Sequence, residues 1–173
     1  MCLEGKNIAI LLAEFYEEIE FWYPYYRMKE AGAKVLSIAS TNNVFAGKNG
    51  LKAKPDEIIS NIGPENFDAV IVPGGFAPDY MRRDPQIIDF VRRMNEQNKL
   101  TAAICHGPWL FASAKIIVNK TVTSFYSIKD DLVNAGAYWT DQEVVVDGKI
   151  ITSRNPNDLP IFCKTIIELL SKD

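Results

Sequence analysis

Short, continuous runs of apolar residues recur along the chain, and each is too brief to form a helix of its own. They cover residues 8–13, 35–39, 69–72 and 100–104. Runs of this length, rich in β-branched and aliphatic side chains, are typical of strands that are covered on both faces. The pattern therefore predicts a parallel sheet.

Between these runs, apolar residues recur at the three- and four-residue spacing of a helix face. Four residues follow the first such pattern: Ile19, Trp22, Tyr23 and Tyr26. They predict a helix with a kink at Pro24. Further helices are predicted over residues 85–97 and 159–170. The alternation of strands and helices predicts a doubly wound α/β domain, with its functional site beyond the carboxyl ends of the strands.

Two dipeptides that favour tight turns mark β-hairpins. The hairpins comprise residues 44–46 and 51–53 around Asn49-Gly50, and residues 144–146 and 149–152 around Asp147-Gly148. We expect both hairpins to add strands to the edges of the sheet. Since the sequence contains no repeat and no linker, residues 1–173 are predicted to form a single domain.

The composition is that of a soluble globular domain, with 47% hydrophobic and 24% charged residues. The formal net charge of -3 comes without a basic block, so no nucleic-acid partner is expected. No apolar run approaches the roughly 20 residues that a membrane helix needs, and the N-terminus lacks the features of a secretory signal. We therefore expect a cytoplasmic protein whose cysteines, Cys2, Cys105 and Cys163, are reduced.

One of these cysteines lies where a buried strand is predicted to meet a helix. Cys105 follows the run 100–104 and precedes Gly107 and Pro108, which permit a tight junction. A thiol there faces the unpaired N–H groups and positive dipole end of the helix, which favour the reactive thiolate. The arrangement resembles the strained turn that carries the nucleophile of α/β-hydrolases. The alternative is that Cys105 is a small apolar residue of the core and has no catalytic role.

His106, the next residue, is the only histidine in the chain. Any imidazole base must therefore be this residue or its copy in another subunit. A metal site with several histidines and an in-chain triad with a distant histidine are both excluded, and we expect no metal and no cofactor. His106 is either the general base for Cys105 or a packing residue at the start of the helix.

Four acids follow the first predicted strand: Glu14, Glu17, Glu18 and Glu20. Glu20 precedes Phe21 and Trp22 and is expected to be partly enclosed, whereas the other three are expected to face solvent. An enclosed carboxyl has a raised pKa and, when neutral, can donate a hydrogen bond to a thiolate. Glu20 is therefore either a site residue or one more acid at a solvated helix start.

Other candidate site residues follow the third and last strands. Gly74 and Gly75 allow the backbone to approach a ligand, and a free N–H there could form an oxyanion hole with that of His106. A tight turn alone would also explain these glycines. Asp79 could orient a histidine or cap a helix. Arg154 could bind an anionic group or form an ion pair.

Taken together, these residues resemble the PfpI family of the DJ-1/PfpI superfamily. The similar segments are Glu17-Glu18-Ile19-Glu20, Pro73-Gly74-Gly75, Ala103-Ile104-Cys105-His106-Gly107-Pro108, and residues 130–136, 143–148 and 152–154. The resemblance covers about residues 7–170. It implies a flavodoxin-like fold, with helices on both faces of a mostly parallel sheet, related to class I glutamine amidotransferases.

The resemblance implies that Cys105 is the nucleophile and that Glu20 approaches it. It also implies an oxyanion hole from the backbone of Gly75 and His106. In peptidase-like members an acid of another subunit orients the histidine, and Asp79 occupies the matching position, where those members often have Glu.

The resemblance places Phe125 where some members have Tyr. Gly74, Phe125 and Arg154 are the candidates for substrate binding. It implies a deglycase acting on methylglyoxal or glyoxal adducts of amines and thiols, or an intracellular peptidase, with cofactor-independent glyoxalase activity in related members. The alternative is a redox sensor or stress-protective chaperone with a reactive Cys105. A glutaminase domain would use a separate downstream histidine, which this chain does not have.

A cluster of aromatic residues near the N-terminus is too dense for one helix to hide on a single face. Its members are Phe15, Tyr16, Phe21, Trp22, Tyr23, Tyr25 and Tyr26. We expect part of the cluster to line the interface of a homodimer or higher oligomer, as members of the family commonly form. The alternative is that all of it packs within one chain.

Overall fold

The computed structural model describes residues 2–172, and most of its elements alternate between strand and helix. In chain order the elements are β1 (Asn7–Leu11), α1 (Glu18–Glu30), β2 (Lys34–Ala39), β3 (Phe45–Ala46), β4 (Lys52–Ala53), β5 (Glu57–Ile58), β6 (Ala69–Val72), α2 (Ala77–Met81), α3 (Pro85–Glu96), β7 (Leu100–Ile104), α4 (Pro108–Ala114), β8 (Thr121–Val122), α5 (Lys129–Asn134), β9 (Tyr138–Trp139), β10 (Val144–Asp147), β11 (Ile150–Ser153) and α6 (Leu159–Leu170). Short 3₁₀ turns lie at Ile59–Asn61, Pro64–Asn66, Tyr126–Ile128 and Pro156–Asp158.

Within the described residues, seven strands form one sheet in the order β10-β11-β7-β6-β1-β2-β5. Neighbouring strands are parallel except for the β10–β11 hairpin. The four predicted apolar runs form β1, β2, β6 and β7, and β6 and β7 are buried along their whole length. The predicted doubly wound, mostly parallel sheet is confirmed.

The order of the strands reverses between β1 and β6. From β1 the chain moves to β2 on one side, and from β6 it moves to β7 on the other. Because parallel crossovers are right-handed, α1 and α3 must cover opposite faces of the sheet. Helix α1 packs with α6, and α3 packs with α4. Such a reversal leaves a crevice at the carboxyl ends of the two central strands, where α/β proteins bind ligands.

The first hairpin differs from its prediction. Strands β3 and β4 pair with each other in a separate two-stranded sheet, so the expectation that they extend the main sheet is wrong. The hairpin instead packs over the loop that follows β1, where the hydroxyl of Tyr16 donates to the carbonyl of Leu51 at 2.7 Å. In the second hairpin β10 is an edge strand as expected, while β11 lies inside the sheet beside β7.

The apolar stripe that predicts α1 is the exposed face of this helix. Ile19, Tyr23 and Tyr26 are 55%, 38% and 61% exposed, whereas Phe21 and Met28 are buried. The helix runs through Pro24 without a break. Spacing therefore predicts the helix correctly, but the packing of α1 against the sheet uses a different face. Among residues 2–172, no helix combines the length and the apolar character that crossing a membrane requires.

The loops that follow β1 and β6 lie in direct backbone contact. The N–H of Phe76 donates to the carbonyl of Phe15 at 2.9 Å, and the N–H of Glu17 donates to that of Gly74 at 3.2 Å. Gly75, between them, has a φ of +73°, and a Cβ there would lie 2.5 Å from Phe15 O and from Glu17 N. Only glycine fits this position, since any side chain would both strain the turn and separate the loops.

Replacing Gly75 should therefore destabilise the fold more than replacing a glycine that shares only its backbone conformation. Gly50 has a φ of +93°, and no described atom lies within 4 Å of a Cβ placed there. We expect Gly50→Ala to lower the free energy of unfolding by about 1 kcal/mol, from strain alone, and Gly75→Ala by about 3 kcal/mol. Urea unfolding of both variants checks this, and equal losses would contradict the close contact.

Candidate active site

A cavity of about 330 Å³ opens at the carboxyl ends of the central strands. The residues that line it are Glu17, Glu20, Lys48, Gly75, Phe76, Cys105, His106, Phe125 and Pro156. Most come from the loops and helix starts that follow β1, β6 and β7. The structure thus brings together Cys105, His106, Glu20 and Gly75, four residues that the sequence singles out separately.

Cys105 occupies the turn between β7 and α4 and has a φ of +62°. This left-handed conformation is rare and strained for a residue with a side chain. Backbone bonds hold it on both sides, since the N–H of Cys105 donates to Ser153 O and its carbonyl accepts from Phe125 N. The predicted strained turn is present, and it directs a buried thiol toward the cavity.

Glu20 is fully buried beside this thiol. Its Oε2 accepts a hydrogen bond from the N–H of Gly74 at 2.8 Å, and its charge acts on the thiol of Cys105. Its Oε1 has no hydrogen-bond partner among residues 2–172. Burial, and then the negative charge of Glu17, raise the pKa of Glu20 to about 7. The expectation of an enclosed carboxyl is confirmed.

The expectation that the neighbouring acids face solvent is wrong. Glu17 is buried and caps α1, because its Oε2 accepts from the N–H of Glu20 at 2.8 Å, and its Oε1 lies 3.6 Å from Nζ of Lys48. Glu18 is buried and accepts from the backbone N–H and the side-chain amide of Asn49. These acids are enclosed because they bond backbone and side-chain groups of the β3–β4 hairpin and of α1.

Glu14 is half-buried and also bonds the hairpin, accepting from the N–H of Ala46 at 3.2 Å.

Gly74 lies close to the reactive groups, because a Cβ there would come 2.6 Å from Oε2 of Glu20 and 2.7 Å from Cβ of Cys105. A side chain at position 74 would therefore push the carboxyl and the thiol apart.

The thiol of Cys105 is surrounded by groups with opposite effects on its ionisation. Burial, and then the charge of Glu20, raise its pKa, while hydrogen bonds from the backbone N–H groups of Gly75 and His106 lower it. The raising effects are larger, so burial and the charge of Glu20 outweigh the backbone N–H groups that favour the thiolate. Cys105 therefore needs a proton acceptor when it reacts.

His106 is placed to be that acceptor. Its Nδ1 lies 3.2 Å from Sγ of Cys105. The ring stacks on Phe125 with centroids 5.2 Å apart and meets Trp109 edge-on at 5.1 Å. Burial, and then the positive charge of Lys48, lower the pKa of His106, so the imidazole is neutral and able to accept a proton at neutral pH.

Two of the predicted residues have other partners. Asp79, on α2, forms an ion pair with Arg83 on the surface, so within the chain it orients Arg83 and not His106. Arg154 bonds Asp158 at 2.9 and 3.1 Å and Asp141 at 2.8 Å, which is the ion-pair alternative for this residue. Of the three substrate-binding candidates, Phe125 lines the cavity.

Sequence reasoning missed Lys48, Phe76, Ser127 and Pro156. Lys48 belongs to the hairpin that packs over the β1 loop, and Ser127 to the 3₁₀ turn after Phe125. Oγ of Ser127 lies 3.2 Å from Nε2 of His106. These residues come from irregular loops, so neither apolar periodicity nor a motif marks them.

Known proteins are similar to this chain over nearly its whole length. The model of the DJ-1/PfpI family matches residues 6–169. Deglycase PfpI of Pyrococcus furiosus is 39% identical over 164 residues, which covers 95% of this chain and 99% of the relative. The Bacillus subtilis protein named "Putative cysteine protease YraA" is 40% identical over 167 residues, covering 96% and 99%.

Solved structures agree with the fold. A two-domain protein of Anabaena variabilis, with DJ-1/ThiJ/PfpI-like and ferritin-like domains, is 42% identical with a TM-score of 0.94, and the match covers 96% of this chain and 48% of that one. DJ-1beta of Drosophila melanogaster is 30% identical with a TM-score of 0.91, covering 97% and 91%. The resemblance carried by the sequence motifs is confirmed, and the chain belongs to the DJ-1/PfpI family.

Proposed function

We propose that this protein is a cysteine-dependent hydrolase in which Cys105 attacks a carbonyl carbon. The observation that carries the proposal is the buried thiol on a strained turn, with Nδ1 of His106 at 3.2 Å and two backbone N–H groups directed at Sγ. This is the arrangement of a nucleophile with its base and with donors for an oxyanion. The deglycase and protease names of the relatives support chemistry of this kind.

For a methylglyoxal or glyoxal adduct, in which the amine or thiol is attached to the hydroxyl-bearing carbon beside the carbonyl, proton transfers through an enediol first convert the adduct into a 2-hydroxyacyl amide or thioester. The proton of the Cys105 thiol then passes to Nδ1 of His106 as Sγ bonds to the carbonyl carbon of this group, or to that of a peptide bond. The carbonyl oxygen gains the negative charge and accepts hydrogen bonds from the N–H groups of Gly75 and His106. The imidazolium then returns its proton to the departing amine or thiol, and water releases the remaining acyl group from Sγ. No cofactor is needed at any step.

Glu20 gives this chemistry a dependence on pH. Its pKa of about 7 places the exchange of its proton near neutral pH, and not in the acidic range of an ordinary glutamate. The neutral acid can donate a hydrogen bond to developing charge on Sγ, whereas the carboxylate repels that charge. We therefore propose that the reactive form of the site carries the proton on Glu20.

The size of the cavity favours a small acyl group over an extended peptide. Its volume of about 330 Å³ is at the lower end for small-molecule sites, and Phe76, Phe125 and Pro156 form apolar walls. A methylglyoxal or glyoxal adduct of an amine or thiol is of suitable size, so deglycase activity is our first assignment. Peptidase activity is the second, supported by the name of the Bacillus relative. Glyoxalase activity would use the same residues.

We expect Cys105→Ser to lower the rate of adduct hydrolysis by more than about 100-fold, because the hydroxyl is a far weaker nucleophile than the thiol. The assay follows release from methylglyoxal-modified N-acetylcysteine and, in parallel, cleavage of a fluorogenic peptide. Cys2→Ser is the control, since Cys2 is an exposed free thiol outside the cavity.

Full activity of Cys105→Ser on both substrates would overturn the hydrolase proposal. A sample without protein measures the spontaneous loss of adduct, which must be subtracted before the rates are compared. Loss of activity on the adduct but not on the peptide would assign the cysteine to deglycase chemistry alone.

We also propose a homodimer or higher homo-oligomer in the cytoplasm. The exposed face of α1 presents Ile19, Tyr23 and Tyr26, and Leu51 of the hairpin lies beside them with 53% exposure. Contiguous exposed apolar groups of this kind are typical of interaction sites. The free state of Cys2, Cys105 and Cys163 is consistent with a reducing compartment.

In sedimentation at micromolar concentration, we expect a mass of at least twice the 19.5 kDa of one chain. Ile19→Glu should reduce the mass to that of a single chain, because it places a charge inside the proposed interface. Tyr138→Glu is the matched control, since Tyr138 is 63% exposed on β9, away from α1. A wild-type mass of one chain would contradict the oligomer.

A further inference from the structure

His106 has polar partners on both sides of its ring. Within the described chain its side-chain hydrogen bonds are Nδ1 with Sγ of Cys105 and Nε2 with Oγ of Ser127, each at 3.2 Å. A neutral imidazole carries one proton, so one nitrogen donates and the other accepts. The group that faces Nε2 therefore determines whether Nδ1 can take a proton from the thiol.

Aromatic contacts hold the His106 ring in place, so the main property that can still vary is which ring nitrogen carries the proton. Phe125 stacks on one face, and Trp109 meets the ring edge-on while its own Nε1 donates to Asp131 at 2.7 Å. Ser127 belongs to the 3₁₀ turn that begins directly after Phe125. One short segment thus supplies both the ring that holds the plane of His106 and the hydroxyl that faces Nε2.

The Ser127 hydroxyl can either accept a hydrogen bond from the His106 ring or donate one to it. The exposure of Ser127 to solvent decides in which of these two arrangements every donor and acceptor has a partner. Ser127 is exposed, so when its oxygen accepts from Nε2–H its own proton can bond to water. Nδ1 then presents a lone pair to the thiol. In the opposite tautomer Nδ1–H would point at sulfur, which is a weak acceptor, and no base would face the thiol.

We propose that Ser127 is a positioning residue that holds His106 in the tautomer with the proton on Nε2, leaving Nδ1 free to accept the proton of Cys105. This proposal rests on the proposed function for its catalytic meaning. When the thiol proton moves to Nδ1, the imidazolium keeps its Nε2–H bond to Ser127 and faces the new thiolate through Nδ1–H. A neutral in-chain hydroxyl thereby takes the place beside the histidine that a carboxylate occupies in catalytic triads.

The charged and titratable groups of the cavity are Lys48 from the hairpin, Glu17 and Glu20 from the start of α1, and Cys105 itself. Replacing Ser127 leaves all of them in place. A change in the pH profile of Cys105 on substitution of Ser127 would therefore report on the tautomer and the stability of the imidazolium, and not on a lost charge.

The test is the rate of alkylation of Cys105 by iodoacetamide from pH 5 to pH 10, read at this residue by mass spectrometry of the full chain. We expect Ser127→Ala to lower the rate at pH 7 by about fivefold and to move the profile to higher pH, because the imidazolium loses a hydrogen bond. Ser127→Thr should restore the wild-type profile. Ser113→Ala, which removes a hydroxyl bonded to Arg82, should leave it unchanged.

A wild-type profile for Ser127→Ala would overturn the proposal, and so would Ser127→Thr as slow as Ser127→Ala, which would indicate packing. Thermal unfolding of each variant verifies that the fold is intact. Because alkylation needs no substrate, its result is independent of the hydrolase proposal, which fails only if Cys105→Ser retains hydrolysis.

Discussion

The arrangement of the candidate active site depends on one buried carboxyl group, that of Glu20, which contacts the loops after neighbouring strands of the sheet. Glu20, at the start of α1, accepts from the N–H of Gly74 after β6, and its charge acts on the thiol of Cys105 after β7. These three residues follow three adjacent strands at the point where the strand order reverses. A buried carboxylate is costly unless its charge is compensated, and burial accordingly raises its pKa to about 7. The carboxyl thus joins the loops that follow β1 and β6, and its ionisation is moved toward neutral pH.

The chemistry of Cys105 follows from this enclosure. Burial and the charge of Glu20 raise the pKa of the thiol, against the opposing effect of the N–H groups of Gly75 and His106. Reactivity then depends on proton transfer within the site, for which Nδ1 of His106 is within 3.2 Å of Sγ. The strained backbone of Cys105 holds the thiol in contact with all of these groups. A preformed thiolate is not required, because acceptor and donor are both in place.

Sequence patterns predict those features that arise from local periodicity or from the ends of strands. The sheet, α3, α6, the turn at Cys105 and the enclosure of Glu20 are of this kind. The burial of Glu17 and Glu18 is not, because it depends on a hairpin that packs over the β1 loop through contacts distant in sequence. The exposed stripe of α1 has the same spacing as a core face, so periodicity alone cannot tell the two apart. Ser127 lies in an irregular turn and becomes visible only once the position of His106 is known.

Glu20 is a buried acid that shares its surroundings with the thiol of Cys105. The most direct test is a titration of its side-chain carboxyl by ¹³C NMR, with the resonance assigned by its absence from Glu20→Gln. The structure predicts a midpoint near pH 7, since burial and the charge of Glu17 both oppose ionisation. A midpoint at the ordinary value of about 4.3 would mean that the carboxyl is solvated, and would contradict its enclosure beside Cys105.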